Sequence, residues 1–162
     1  AITANFVSGQ DVLSFTNVPA TMGNITGTYN ASTGVMSLSS AGNTATLAQW
    51  QAALRSIQYS NTSENPSGAA RTVSFTVNDN SLNSNSINST VNVVPVNDAP
   101  ALATGSNITY TENNPATAIN TAITVSDVDN ATLATATIAI TGNFVSGQDV
   151  LSFTNVPATM GN

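Results

Sequence analysis

The chain contains no cysteine, no histidine and no lysine. Its only positive residues are Arg55 and Arg71, and charged residues make up 6% of 162, against ~25% in an ordinary globular domain. Each absence removes a class of chemistry. Without Cys or His there is no thiol or imidazole to act as nucleophile or base, no Ser-His-Asp triad and no Cys/His zinc site. Without Lys there is no Schiff base. Two cations cannot neutralise a row of phosphates, so nucleic acid is not expected as a partner. No apolar run approaches the ~20 residues of a membrane span. Nor does the start of the chain have the order of a secretory signal, so any export signal is expected outside these residues. The lack of thiols also separates the chain from disulfide-stapled secreted domains and from ordinary cytosolic proteins.

What is present is a surplus of Ser, Thr and Asn, 65 residues together, alongside 41% apolar residues and eight carboxylates that give a net charge of −6. That composition fits an exported bacterial protein stabilised by β structure, with bound metal ions as a candidate second source of stability.

A long duplication frames the organisation. Residues 1–24 read AITANFVSGQDVLSFTNVPATMGN and residues 139–162 read AITGNFVSGQDVLSFTNVPATMGN. They agree at 23 of 24 positions, differing only at Ala4 and Gly142, with an offset of 138 residues. A fixed period of this kind marks a tandem repeat. The stretch Val94-Pro95-Val96-Asn97-Asp98-Ala99-Pro100 reads as a linker, because its prolines interrupt both helix and ladder. Residues 1–98 are then the C-terminal part of one repeat, and 99–162 the N-terminal part of the next. Each part alone would leave strand edges unpaired. Neighbouring copies of the repeat are therefore the expected partners, joined covalently or by strand exchange.

Within the period the pattern is β. Apolar residues alternate with polar ones at Ile108 and Tyr110, at Ile119, Ile123 and Val125, at Ile138 and Ile140, and at Leu151 and Phe153 (repeated as Leu13 and Phe15). The same holds for 25–29, 35–38, 57–59, 73–77 and 87–93. Short strands at this spacing predict an antiparallel β-sandwich. One stretch differs. Over 46–55, a capping Thr46 precedes Leu47, Trp50 and Leu54 at helical spacing, which predicts a short helix packed on a sheet. Trp50 reads as a core plug rather than a platform for sugars.

With so few charges, each carboxylate is informative. Strand direction brings Asn97 and Asp98 of the linker and Asp127 and Asp129 after strand 119–125 to one inter-repeat junction. Asp79 lies at the same end of its own repeat, while Glu112 ends the strand 108–110 at the far end. A corresponding Glu of a preceding repeat could join the junction. Several carboxylates with amide and carbonyl oxygens suit Ca²⁺, which takes six to eight oxygens, and no softer metal. The competing reading of each Asp and Asn is an ordinary Asx turn. Asp11 and Asp149 read as turn or cap residues, and Glu64 is placed to pair with Arg71 at the surface, an arrangement that contributes little. The Asn-x-Ser/Thr sequons at Asn24, Asn30, Asn61, Asn88, Asn107 and Asn130 are what chance gives in this composition.

These residues together resemble the cadherin-like, immunoglobulin-like tandem repeats of giant bacterial surface adhesins, including the RTX type. The matching stretches are Val96-Asn97-Asp98-Ala99-Pro100, Thr111-Glu112-Asn113, Val125-Ser126-Asp127-Val128-Asp129, Gly147-Gln148-Asp149-Val150-Leu151-Ser152-Phe153, Leu54-Arg55-Ser56-Ile57-Gln58-Tyr59, 61–66 and 71–79. The resemblance implies an extracellular extender module at the bacterial cell surface, with calcium stiffening the junctions. It makes Asp98, Asp127 and Asp129 linker and D-x-D ligands, and Glu112 the first-strand ligand. A carbohydrate- or protein-binding module is the alternative. Its candidate aromatics, Trp50, Tyr29, Tyr59 and Tyr110, fall on different elements. An enzyme is not expected: the closest carboxylate pair, Asp127 and Asp129, has no aromatic cleft residues nearby, as glycoside hydrolysis would require.

Overall fold

Alternating apolar and Ser/Thr residues become strands here wherever a partner strand lies in reach. The computed structural model describes residues 1–160, and the chain divides into two units, Ala1–Asn97 and a second that begins at Asp98. The first unit holds β1 (Ile2–Ala4), β2 (Asp11–Ser14), α1 (Pro19–Met22), β3 (Ile25–Asn30), β4 (Val35–Ser40), α2 (Leu47–Arg55), β5 (Gln58–Asn61), β6 (Arg71–Phe75) and β7 (Ile87–Val91). The second holds β8 (Ala101–Ala103), β9 (Thr124–Ser126) and α3 (Pro157–Met160). Strand residues (26%) outnumber helical ones (12%), and every strand pair among the described residues is antiparallel, consistent with an all-β chain.

In the first unit the sheets are β1-β6-β7, β2-β5 and β3-β4. The β3–β4 hairpin closes through Asn30, whose Oδ1 accepts from the N–H groups of Ser32 and Thr33. Gly34 follows with φ 69°, and a Cβ there would stand 2.9 Å from the Phe6 ring. Both the backbone angle and the close aromatic therefore require glycine.

Two clusters form the core. Ile2, Leu13 and Val73 are buried under Phe6, Tyr29, Met36, Ile57, Tyr59, Phe75 and Val91. Met22, Ile25 and Ala53 are buried with Phe15, Leu38 and Trp50 against them. Trp50 thus packs into the core as its spacing predicts.

Three expectations are corrected. The predicted strands at 108–110, 138–140 and 151–153 do not form, and only the end of 119–125 enters a ladder, as β9. Its partner β8 was not marked by alternation. The helix lies where expected, but Leu47 at its first turn is 89% exposed, and the inward stripe is buried Ala53 with half-buried Trp50 and Leu54.

Helix α2 starts with a reciprocal cap. Thr46 Oγ1 accepts from the Gln49 N–H at 3.3 Å, and Gln49 Oε1 accepts from the Thr46 N–H at 2.8 Å. Such a box satisfies two donors that the helix itself cannot. Thr46→Ala is expected to cost about 1 kcal/mol, read as a lower urea midpoint with an unchanged slope.

Candidate functional site

The β8–β9 register decides where the predicted ligands fall. Ala101 pairs with Ser126, so the residues before β8 and those after β9 share one end of the ladder. There the Asp98 N–H donates to an Asp129 carboxylate oxygen. Asp127 turns inward on its own loop: its Oδ1 accepts from the Asp129 N–H at 2.9 Å and the Asn130 N–H at 2.8 Å. The Asn130 N–H, and then that of Asp129, hold the Asp127 carboxyl below its ordinary value. Asp98, Asp127 and Asp129 are thus neighbours along one loop pair.

The other candidates lie elsewhere. Asn97 closes the first unit. Glu112 sits in a turn that follows β8 at a distance in sequence, where the Asn114 N–H bonds the Thr111 carbonyl. Asp79 caps its own loop in the first unit, accepting from the Ser81 and Leu82 N–H groups at 2.9 and 2.8 Å. The bond from Leu82, then that from Ser81, lowers its pKa. Among the described residues, no three carboxylates gather closely enough to hold a metal.

The densest polar constellation is one that sequence reasoning missed. Asp11 and Arg71, 60 residues apart, form a fully buried ion pair with Nε 3.2 Å from both carboxylate oxygens. Oδ1 of Asp11 also accepts from the Tyr59 hydroxyl at 2.5 Å and Asn61 Nδ2 at 2.7 Å. Oδ2 accepts from the Val7 N–H at 2.7 Å. The Tyr29 hydroxyl donates to the Asp11 carbonyl at 2.6 Å. Arg71 Nη1 donates to the carbonyls of Ser67 and Ala69, both at 2.5 Å, while Nη2 is buried with no partner among the described residues. Asp11 thus ties β2 to β5 through Tyr59 and Asn61, to β6 through Arg71 and to β3 through Tyr29. All three sheets of the first unit meet on it.

Burial alone would raise the Asp11 pKa. The bonds from Tyr59, Val7, Asn61 and Arg71 outweigh it and hold the carboxyl below its usual range. Burial, then the bond to Asp11, pushes the Tyr59 phenol up. With both carboxylate oxygens engaged, the group is suited to clamping strands and has no position left for a reacting atom. Arg71 therefore pairs with Asp11, and Glu64 is exposed. Asp11 does close a turn, as expected of it, but that is half its role. The signal was available: Arg71 shares strand parity with Val73 and Phe75, and a cation on the core face needs a buried counter-ion.

The duplicated segment shows which of these features are local. Around Asp149, the Val145 N–H bonds Oδ2 at 2.7 Å, and Gly147 takes φ 81°. The corresponding values at Asp11 are 2.7 Å and, for Gly9, 82°. The helical turns α1 and α3 also match, with Val18 and Val156 each donating to a Met sulfur at 3.4 Å. What the second copy lacks is strand. Leu151 is 41% exposed where Leu13 is 2%. Ile140, Phe144, Asp149, Val150 and Leu151 line an open cleft of ≈ 370 Å³. Compared with known proteins, the chain matches no family model, no curated protein and no solved structure.

Removing one partner of a buried ion pair costs ~3–5 kcal/mol because it strands the other charge. Arg71→Met is expected to lose that much, measured by urea unfolding. A second expectation concerns pH. The Asp11 carboxyl is depressed in the folded state, so its contribution is complete above its unfolded pKa of ~3.9 and is lost as pH falls through the lower folded value. Tyr59 is raised, so its contribution is complete below ~10 and is lost as pH rises through the higher folded value. Urea midpoints across pH should show both limbs, and Asp11→Asn should flatten the acid one.

Proposed function

We propose that this chain is a structural tandem-repeat segment of a bacterial cell-surface adhesin or filament. It acts as a non-catalytic extender whose junctions are stiffened by calcium. The observation that carries the reading is the near-identical recurrence of 1–24 at 139–162. Catalytic domains are seldom copied with one change in 24 residues, whereas an array of spacers gains length from each copy. In this reading each 138-residue repeat folds as an immunoglobulin- or cadherin-like sandwich, and Pro95 to Pro100 is the hinge between repeats.

Three further features support it. The β units are antiparallel throughout. The polar cluster at Asp11 has the geometry of a clamp. Asp98, Asp127 and Asp129 lie beside the linker, where a cation would immobilise the hinge, with Asn97 next in the chain and Asp79 and Glu112 as candidate ligands from neighbouring repeats. Carboxylates and amide oxygens are the donors that Ca²⁺ prefers. No helix among the described residues is long and apolar enough to cross a membrane, and the proposed location is extracellular. The proposed partners are neighbouring copies of the repeat.

The test is thermal unfolding of a polypeptide of three consecutive repeats, in millimolar calcium and then in chelator. A ligand at a hundredfold excess over Kd stabilises by ~2.7 kcal/mol, so calcium should raise the melting temperature by several degrees. Asp127→Ala in each repeat should abolish the rise. An unchanged melting temperature would remove calcium from the proposal.

A further inference from the structure

The ladder between β6 and β7 ends at Arg71 and Val91, which face each other. Beyond it the segment 62–70 leads into β6, and residues 92–97 lead away from β7. On the same register, continued by three residues, Gly68 stands opposite Val94. No strand forms there. The carbonyls of Ser67 and Ala69, which a strand could offer to a neighbour, are taken by Arg71 Nη1, each at 2.5 Å. They lie on either side of Gly68 in the chain, so one guanidinium fixes the backbone around that glycine.

Gly68 in turn meets the outgoing chain. A Cβ placed on it would stand 3.5 Å from Pro95 Cδ, 3.7 Å from Pro95 Cγ and 3.8 Å from the Val93 carbonyl oxygen. The proline ring therefore lies over the open face of the glycine. The segment 62–70 is itself tied at both ends. The Thr62 N–H donates to the Gln10 carbonyl at 2.9 Å, and Asn5 Nδ2 donates to the Ala70 carbonyl at 2.8 Å. Val94 and Val96 are 78% and 73% exposed, so burial of their side chains does not hold the outgoing chain in place.

We infer that Gly68 is a seat for Pro95, and that Arg71 is the positioning residue that holds the seat in shape. The chain then leaves the first unit in a direction set by the buried Asp11–Arg71 pair, with no bound ion needed, and bending is confined to residues after Pro95. Proline suits the role, because its ring fixes its own φ and keeps the preceding residue extended. The inference deepens the extender reading above, on which it rests only in calling 95–100 the junction between repeats. It gives the buried arginine a second task, which is to join the core to the exit of the chain.

The test is NMR on the whole chain in chelator. The unmodified chain should show a nuclear Overhauser contact between Gly68 Hα and Pro95 Hδ, and a Val94 amide order parameter of ~0.85, as in rigid backbone. Arg71→Lys keeps a positive charge beside Asp11, but its single nitrogen cannot stand at the Nε and Nη1 positions together. The contact should be lost and the Val94 order parameter should fall below ~0.6, while Thr90 in β7 keeps its value. Should that variant not fold, Gly68→Leu decides. Gly68 has no positive φ, so the backbone accepts a side chain, and the atoms beyond Cβ are expected to lift Pro95 away and lower the Val94 order parameter at an unchanged urea midpoint. An unmodified chain that lacks the contact, or whose Val94 amide is already below ~0.6, overturns the inference. So does a contact that survives Arg71→Lys, or a Val94 amide that keeps its order in Gly68→Leu. All of this is read without calcium, whereas the melting of the three-repeat polypeptide reads calcium alone, so the two readings fail separately.

Discussion

One buried charge pair organises the first unit. Its strands are short, three to six residues each, and its three sheets are small. Sheets of two or three short strands are marginal by themselves. The Asp11 carboxylate and carbonyl draw donors from β3, β5 and β6 onto β2, which converts separate ladders into one body. The arrangement is demanding as well as cohesive. A buried ion pair is weak evidence of net stability against an apolar alternative, but it accepts only one register. Slipping β2 by one residue would turn Asp11 and Leu13 outward together.

The duplicated segment separates what a sequence specifies alone from what it specifies with company. The Gly9 and Gly147 turns and the two Pro-Ala-Thr-Met helical turns are alike in both settings. They depend on glycine at positive φ, on an Asx-type bond and on proline at a helix start, all within five residues. The strands β1 and β2 have no counterpart in 139–160. A strand's hydrogen bonds lie with its neighbouring strands, so strand is the part of the segment that its own residues do not specify.

The same contrast explains which parts of the fold were legible. The period-2 runs at 25–29 and 35–38 formed strands, and those at 73–77 and 87–93 did so in part, as 71–75 and 87–91; those at 108–110 and 151–153 did not. Helix α2 was legible because its cap and apolar stripe are local, and Leu47 was misjudged because a first-turn side chain need not share the buried face. At the site, Asp98, Asp127 and Asp129 fell together because they flank one antiparallel ladder. Asp79 and Glu112 lie in separate turns of their own. The Asp11–Arg71 clamp was readable from strand parity, yet a sequence separation of 60 hid the pairing.

Burying Arg71 has a consequence outside the core. The chain has two arginines and no lysine, so a trypsin-like protease finds one candidate cleavage point at the surface, Arg55. That residue ends α2, and its scissile bond leads to Ser56, whose N–H is held by the Ala53 carbonyl at 3.1 Å. Cleavage there requires the last helical turn to open first. A surface of Ser, Thr and Asn with its cation withdrawn thus offers trypsin-like enzymes almost nothing to grip.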